Sequence, residues 1–362
     1  MRVIRHRLTT TIIVPITLAV FMLLPAIPAQ QNQPTMVPQS DTCTLDADGT
    51  AHITRVVPLP ATISPEAQKF ISREVSSGPD LSMAERRAMA DTFRKARTEE
   101  ARKLYPVNIA EKTFGGVRCD VITPLVIPAE KQNRVLINVH GGGFNSDWGS
   151  LVEGIPIASL AQTTVVSVYY RLAPEYPYPA AVDDTEAVYK ELLKTYKPQN
   201  MGLYGTSAGA VLTVETAVRL RHDGLPLPGV LGFFSGTGDL DQVGDTQAIF
   251  SVSGLGGSFK STKGHLSTEY AEGADPKDPV FAPLHADLHG FPPTLFVSST
   301  RDVMLSGTAI LHRAFLRAGV DGQLVVFEAL PHAFWNDFSL PESREAHEIM
   351  AKFFDQQLSK GR

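Results

Sequence analysis

The sequence predicts an α/β fold in which a mostly parallel, eight-stranded sheet has helices on both faces. Short apolar runs alternate with helical stretches from about residue 107 to the C-terminus, which is typical of parallel strands joined by crossover helices. A serine between two glycines, Gly205 to Gly209, lies between one such run and a helix. The alternation is interrupted once, at residues 236–283.

The composition is that of a soluble globular protein, because 43% of the 362 residues are hydrophobic and 20% are charged. The formal net charge of −5 gives the protein no positive potential that would attract nucleic acid, so we expect no nucleic-acid partner. No metal-ligand spacing or phosphate-binding glycine motif is found, so no metal and no cofactor are expected. The only cysteines, Cys43 and Cys119, fit either one disulfide or two free thiols. Oligomerisation is left open.

Residues 1–29 resemble a secretory signal, with three arginines, an apolar stretch and the segment Ile27-Pro28-Ala29. Cleavage after Ala29 predicts a secreted or periplasmic protein with no stable membrane insertion and a net charge of 30 − 38 = −8. The alternative is an uncleaved membrane anchor, because residues 8–29 carry no charge and approach the length that spans a bilayer. Three prolines in the apolar stretch favour cleavage.

Residues 30–60, rich in Gln, Pro and Thr, predict a flexible arm with a turn at Asp48-Gly49. Two helices are expected within residues 61–105. The first begins near Ser64-Pro65, and the second follows a capping box formed by Ser82 and Glu85. The apolar positions of the second helix, which predict an amphipathic face, are Met89, Phe93, Ala96 and Leu104.

The sheet region begins near residue 106 with a hairpin turn at Gly115-Gly116. The predicted strands are 107–114, 117–123, 134–139, 163–169, 201–204, 230–234, 294–298 and 323–327. The predicted helices are 180–196, 208–221, 306–318 and 342–358. Because the insertion at 236–283 joins two core strands at their carboxyl ends, it is expected to lie over the site where ligands bind in such sheets.

The segment Gly205-Thr206-Ser207-Ala208-Gly209 has the pattern of a nucleophile elbow, a sharp strand-to-helix turn that presents a serine hydroxyl. Both glycines are needed there, because a Cβ at either one would collide with the adjoining strand or helix backbone. One β-α-β unit earlier, three glycines follow a strand in His140-Gly141-Gly142-Gly143-Phe144. Their N–H groups can turn toward one point and predict an oxyanion hole.

A serine nucleophile needs a base and a carboxylate that orients this base. Asp302 follows the strand at 294–298, and His332 follows the last strand, so both side chains are expected at the same edge of the sheet as Ser207. A helix N-cap is the alternative role for Asp302, and Asp337 and Glu328 are the alternative acids.

These segments resemble the bacterial hormone-sensitive lipase family of carboxylesterases, which have the α/β-hydrolase fold. The resemblance covers residues 65–358. The motifs that carry it are His-Gly-Gly-Gly-Phe at 140–144, Tyr170-Arg171-Leu172-Ala173-Pro174-Glu175, Tyr178-Pro179-Ala180-Ala181, the elbow, Asp302 and Pro331-His332.

The resemblance implies a serine carboxylesterase that acts on small-molecule esters through an acyl-enzyme. It implies a catalytic domain at 106–362 and a cap formed by residues 61–105 and the insertion at 236–283. The implied roles are catalysis by Ser207, Asp302 and His332, and oxyanion binding by Gly142, Gly143 and Ala208. His140 is expected to be structural, because a histidine bonded to the local backbone is commoner than a second base. Arg171 is suited to brace the glycine loop through its fork of donors.

An enclosed cap predicts a short acyl pocket, and large side chains beside the site would shorten it further. These pocket candidates are Phe144, Trp148, Tyr204 and Phe334, with core packing as the alternative for Tyr204 and Phe334. We therefore expect short-chain or small aromatic esters as substrates. A lactone hydrolase, amidase or peptidase with the same triad is an alternative. A non-catalytic binding protein, as in the gibberellin receptors that resemble this family, is disfavoured because those receptors lack the histidine present here as His332.

Overall fold

The computed structural model describes residues 41–73, 81–241, 244–251 and 269–360. The predicted signal at 1–29 lies outside these residues. The chain divides into two compact units, one ending at Pro58 and the other beginning at Leu59. In the described ranges, no helix is both long enough and apolar enough to cross a membrane.

The first unit contains a β-hairpin in the segment for which the sequence predicts only a turn within a flexible arm. Strands β1 (Thr42–Leu45) and β2 (Ala51–Thr54) pair antiparallel, and all of their residues are exposed. The predicted turn at Asp48-Gly49 is present, with Gly49 at φ +90°. Threonines and an isoleucine in the strands favour extended backbone on both sides of this turn.

The second unit is built on an eight-stranded sheet, as predicted. Its strands are β3 (Val107–Phe114), β4 (Val117–Pro124), β5 (Val135–Val139), β6 (Thr164–Val168), β7 (Met201–Thr206), β8 (Val230–Phe234), β9 (Thr294–Ser299) and β10 (Gly322–Phe327). Their order is β10-β9-β8-β7-β5-β6-β4-β3. The pairs β3-β4 and β4-β6 are antiparallel, and the other pairs are parallel. Because β5 pairs with both β6 and β7, the chain order reverses there, and a crevice opens at the carboxyl ends of β5 and β7.

Helices cover both faces of this sheet, and each face has its own apolar cluster. The helices are α1 (Pro65–Ile71), α2 (Met83–Leu104), α3 (Ser150–Ala161), α4 (Ala180–Leu192), α5 (Ala208–His222), α6 (Asp245–Phe250), α7 (Leu305–Arg317) and α8 (Pro341–Lys360). Helices α4, α5 and α7 contribute to one cluster, whereas α3 and α8 contribute to the other. The α/β fold class predicted from the alternation of apolar runs is therefore confirmed.

Helix α3 is absent from the sequence expectations. It contains Gly154 and Pro156, which both lower helix propensity in the interior of a helix. Tertiary packing explains the glycine, because a Cβ at position 154 would lie 2.4 Å from Cδ1 of Ile122 on β4. Close approach of α3 to the sheet thus outweighs the local propensity.

Helix α2 begins at the predicted capping box, in which Ser82 and Glu85 bond reciprocally. The predicted apolar face is mostly wrong, because Met89, Ala96 and Leu104 are exposed and Phe93 is only partly buried. The buried residues of α2 are the small Ala90 and Ala101. Side chains this small allow a close approach to the body of the unit but bury little apolar surface.

Candidate active site

Ser207 occupies the sharp turn between β7 and α5 with φ +59° and ψ −120°. The two flanking glycines are required sterically, as predicted. A Cβ at Gly205 would lie 2.2 Å from the carbonyl oxygen of Val139 and 2.6 Å from the backbone of Gly209. A Cβ at Gly209 would lie 1.9 Å from the same Val139 oxygen. The strained serine is thus held between a strand and a helix that are in backbone contact.

The glycine loop after β5 lies directly against this turn. A Cβ at Gly141 would be 2.8 Å from the Thr206 carbonyl oxygen and 3.4 Å from Cβ of Ser207. Gly142 and Gly143 have φ values of +133° and +62°, which favour glycine. Ala208 is the first residue of α5, where backbone N–H groups have no partner within the helix. The loop and the helix terminus therefore meet beside the Ser207 side chain.

His140 is buried and bonds to its own loop, as expected for a structural residue. Its Nδ1 lies 3.0 Å from the Gly141 carbonyl oxygen, and its ring stacks on Tyr170 with centroids 4.2 Å apart. The Tyr170 hydroxyl donates to the His140 carbonyl at 2.6 Å. These contacts fix the start of the glycine loop.

His332 and Asp302 form a hydrogen-bonded pair, with Nδ1 of His332 2.9 Å from Oδ1 of Asp302. Burial alone would raise the pKa of Asp302, but the charge of His332 and its hydrogen bond hold this pKa below its ordinary value. The alternative acids have other partners: Asp337 pairs with Arg97, and Glu328 accepts from Thr300. Because a carboxylate only accepts, the pair fixes the His332 proton on Nδ1.

Ser235 is a third member of this network that the sequence reasoning missed. It directly follows β8, is fully buried and has φ +58°. Its hydroxyl donates to Oδ2 of Asp302 and lies 2.7 Å from Nδ1 of His332. A single serine outside any motif gives no sequence signal for such a contact.

The acid–base pair and the elbow share one edge of the sheet. The N–H of Ser207 donates to the Phe234 carbonyl at 2.9 Å, and Phe234 is followed by Ser235. From the other side, Nε1 of Trp335, three residues after His332, donates to the Thr206 hydroxyl at 3.2 Å. The segments that carry Ser207, Asp302 and His332 are therefore joined by direct hydrogen bonds.

Comparison with known proteins identifies the family of this fold. Residues 136–336, more than half of the chain, match the family described as the alpha/beta hydrolase fold. The chain belongs to this α/β-hydrolase family. It is 32% identical over 260 residues to an acetyl-hydrolase of Streptomyces hygroscopicus, covering 67% of this chain and 86% of the relative. It is 29% identical over 273 residues to an esterase of Acinetobacter venetianus, covering 69% and 84% of the two chains.

Solved structures extend the likeness. The crystal structure of esterase E25 superposes with a TM-score of 0.74 at 31% identity, covering 84% of this chain and 97% of that one. An esterase described as a member of the bacterial hormone-sensitive lipase family superposes with a TM-score of 0.69 at 28% identity, covering 82% and 99%. The family resemblance inferred from the sequence motifs is confirmed.

In this α/β-hydrolase, Arg87 of α2, and not Arg171, bonds to the residue that directly follows the glycine loop at 140–144. The Arg171 guanidinium donates to Asp184 and the Ala180 carbonyl, so the expectation that it supports the glycine loop is wrong. Arg87 donates from Nε to the Asn145 carbonyl at 2.8 Å. Its remaining contacts are the Ala173 carbonyl at 2.9 Å and both carboxylate oxygens of Glu175. Sequence spacing cannot reveal this contact, because it joins segments more than fifty residues apart.

Two of the four pocket candidates lie near the glycine loop. Phe144 is buried and stacks on Tyr270, with centroids 3.6 Å apart, at the described end of the cap insertion. Trp148 packs on Phe93 of α2 with centroids 5.2 Å apart, and its Nε1 donates to the Ser146 hydroxyl. These contacts place α2 and the insertion beside the loop.

Tyr204 and Phe334 are core residues, so their assignment to the pocket is wrong. The Tyr204 ring packs against Phe234 and Phe354 on the face covered by α3 and α8. Phe334 packs against Phe327 and Trp335 in the same cluster. Alternation along β7 directs Tyr204 to this face of the sheet, whereas Ser207 lies beyond the end of the strand.

Proposed function

We propose that this esterase is a serine carboxylesterase that cleaves short-chain or small aromatic esters through an acyl-enzyme. The observation that carries the proposal is the convergence of three elements at one edge of the sheet. These are the strained Ser207, the His332–Asp302 pair and the glycine loop in contact with Ser207. Relatives named esterase or acetyl-hydrolase support the same chemistry.

In the first half-reaction, Nε2 of His332 accepts the Ser207 proton while Oγ attacks the ester carbonyl carbon. The N–H groups of Gly142, Gly143 and Ala208 stabilise the oxyanion that forms. The C–O bond to the alcohol then breaks, and the alcohol leaves with the proton from His332. Water repeats the sequence on the acyl-enzyme, releases the carboxylic acid and restores Ser207.

The contacts of α2 support a preference for small substrates. Arg87 and Phe93 attach α2 to the glycine-loop side of the site. Arg97 attaches it to Asp337, 3.0 Å away on the segment that follows His332. A helix attached on both sides restricts the length of an acyl chain above Ser207. The acetyl-hydrolase named among the relatives is consistent with a small acyl group.

The test is kcat/KM of the purified protein on p-nitrophenyl esters with acyl chains of roughly two to twelve carbons. We expect a maximum at roughly two to six carbons. Ser207→Ala and His332→Ala should each abolish turnover while circular dichroism is unchanged. The matched control is His285→Ala, because His285 also bonds an aspartate, Asp239, at 3.2 Å, outside the triad. Full activity in Ser207→Ala would exclude the serine mechanism, and a maximum at ten carbons or beyond would exclude the short pocket.

We also propose that the protein is exported and that residues 1–29 are removed. The apolar stretch and the Ile27-Pro28-Ala29 segment support this. Intact-mass measurement of the native protein should find a chain that begins near Gln30. A chain that retains Met1 and fractionates with membranes would contradict export and support the anchor.

A further inference from the structure

The glycine loop and the elbow share a buried carboxyl group that the proposed mechanism does not use. Glu153 lies in the first turn of α3 beneath both segments and is 4% exposed. Its Oε1 accepts from the Gly141 N–H at 3.2 Å, and its Oε2 accepts from Nδ2 of Asn138 at 3.2 Å. The Thr206 hydroxyl also hydrogen-bonds to this carboxyl, and of the three partners it is the one that can accept a hydrogen bond from a neutral acid.

The surroundings are shaped to hold this group. A Cβ at Gly149 would lie 1.9 Å from Oε1 of Glu153, so only glycine leaves room for the carboxyl at that position. A small cavity beside it is lined by Glu153 and Thr206 together with Trp335 of the His332 segment. The carboxyl thus occupies a defined place between the glycine loop, the elbow and α8.

Two of these contacts are adjacent in sequence to the groups that bind the oxyanion. Gly141 precedes Gly142 in the loop, and Thr206 precedes Ser207 and Ala208 at the elbow. On the basis of the proposed function, we propose that Glu153 is a positioning residue. As a neutral acid, it fixes the glycine loop, which carries Gly142 and Gly143, relative to the elbow, which carries Ala208.

The charge balance around Glu153 favours the neutral form. In the described part of the chain, no lysine or arginine forms an ion pair with Glu153. Burial raises the pKa of Glu153 to about 8, although the hydrogen bonds from Asn138, Gly141 and Thr206 oppose this rise. The titratable groups that face it from neighbouring elements are His140, Asp147, Tyr170, Tyr204 and His347.

These neighbours do not supply a compensating charge. Asp147 raises the pKa of Glu153 further. Nδ1 of His140 faces the Gly141 carbonyl at 3.0 Å and Asp147 at 3.6 Å, and no hydrogen bond joins it to Glu153 in the described residues. Burial lowers the pKa of His347 to about 3, so its imidazole is neutral near pH 7.

An ionised Glu153 would place negative charge directly beneath a site that must bind an oxyanion. Negative charge on the ester oxygen develops mainly in the transition state. Repulsion between this charge and an ionised Glu153 therefore lowers kcat and leaves KM nearly unchanged. We therefore expect a descending limb in the pH profile of kcat above about pH 8. One pH unit above the pKa, about one tenth of the molecules retain the proton, so kcat at pH 9 should be about a tenth of its plateau.

The experiment compares wild type and Glu153→Gln between pH 6 and 9.5, with kcat, KM and thermal unfolding measured at each pH. Gln mimics the neutral acid and does not titrate. We expect its kcat to stay flat above pH 8 at a plateau within roughly threefold of the wild type. The matched control is Glu215→Gln, which neutralises another fully buried glutamate, on α5, whose side chain bonds to Tyr270. This control should keep the descending limb.

Unfolding provides a readout that does not depend on ester hydrolysis. A raised pKa in the folded state makes wild-type stability fall as pH rises from about 4.5 to about 8, and Glu153→Gln should lose this component. If no ester is cleaved, the proposed function fails, but this difference in stability still reports the protonation of Glu153. A wild-type kcat that stays flat to pH 9, or a limb that persists in Glu153→Gln, overturns the proposal. A Glu153→Gln variant that does not fold also overturns it, because the neutral form would then not be the native one.

Discussion

Oγ of Ser235 lies 2.7 Å from Nδ1 of His332, and the same hydroxyl donates to Asp302. The hydroxyl proton is therefore directed to the acid, and a lone pair faces the imidazole N–H. This arrangement holds the proton of His332 on Nδ1, so that in the proposed mechanism Nε2 is the atom that accepts the Ser207 proton. Because φ of Ser235 is +58°, the backbone is strained to place this hydroxyl.

Ser235→Ala should lower kcat by about 10-fold to 100-fold, since a hydrogen bond to a charged group contributes about 1.5–3 kcal/mol. Ser235→Gly is the control for backbone strain: it should be as slow as the alanine variant but more stable. Ser298→Ala removes the other hydroxyl on Asp302, at 2.7 Å, and should be milder because no hydrogen bond joins Ser298 to His332 in the described residues. Equal kcat of Ser235→Ala and wild type would show that the Ser235 hydroxyl does not contribute to catalysis.

Gly209→Ala should prevent folding. The added Cβ would lie 1.9 Å from the Val139 carbonyl oxygen, and neither β5 nor α5 can shift without breaking sheet or helix hydrogen bonds. Gly224→Ala provides the comparison, because space is open there and only the φ of +69° opposes a side chain. We expect that variant to fold with a loss of about 1 kcal/mol. Soluble, cooperatively unfolding Gly209→Ala would show that the elbow has more room than the structure gives it.

Arg87→Met should lower kcat by about tenfold, because the Asn145 and Ala173 carbonyls lose a charged donor and the segment after the glycine loop loses one of its contacts with α2. Glu175→Gln tests the ion pair separately. Glu175 is exposed, and exposed ion pairs contribute about 0–1 kcal/mol, so this variant should stay within roughly twofold of wild type. The measurement is kcat of both variants on one short ester. An equal loss of kcat in Arg87→Met and Glu175→Gln would show that the ion pair, and not the bonds to the two carbonyls, causes the effect.

His347 should make the protein sensitive to acid. Burial lowers the pKa of His347 to about 3, so below pH 6.5 the unfolded chain binds a proton that the folded chain does not. Its contribution to stability is therefore intact above pH 6.5 and is lost as pH falls toward 3, with about 2 kcal/mol lost at pH 5. His347→Phe keeps a ring beside Tyr105 and Phe338 and should reduce the difference in unfolding free energy between pH 7 and 5 by about that amount. The exposed His222→Asn serves as control, and the same pH dependence in His347→Phe and wild type would contradict the assignment.

The sequence predicted the features that depend on neighbours along the chain. Strand runs, the capping box at Ser82 and the glycines around Ser207 are local patterns with local physical causes. Contacts between distant segments were not predictable in this way: Ser235 reaches His332, and Arg87 reaches Asn145. The direction of Tyr204 was missed because strand register, and not proximity in sequence, decides which face a side chain occupies.

Helix α2 is attached to the rest of its unit mainly by polar contacts. Only Ala90 and Ala101 of its 22 residues are buried, whereas twelve residues of α5 are. Little apolar area is therefore exposed when α2 separates from the sheet, and the free energy of this local opening lies well below that of global unfolding. We therefore expect backbone amides of α2 to exchange with solvent sooner than those of α5. For the ester hydrolysis proposed above, such an opening would let an ester enter and an acid leave beneath α2 while Ser207 and the sheet stay in place.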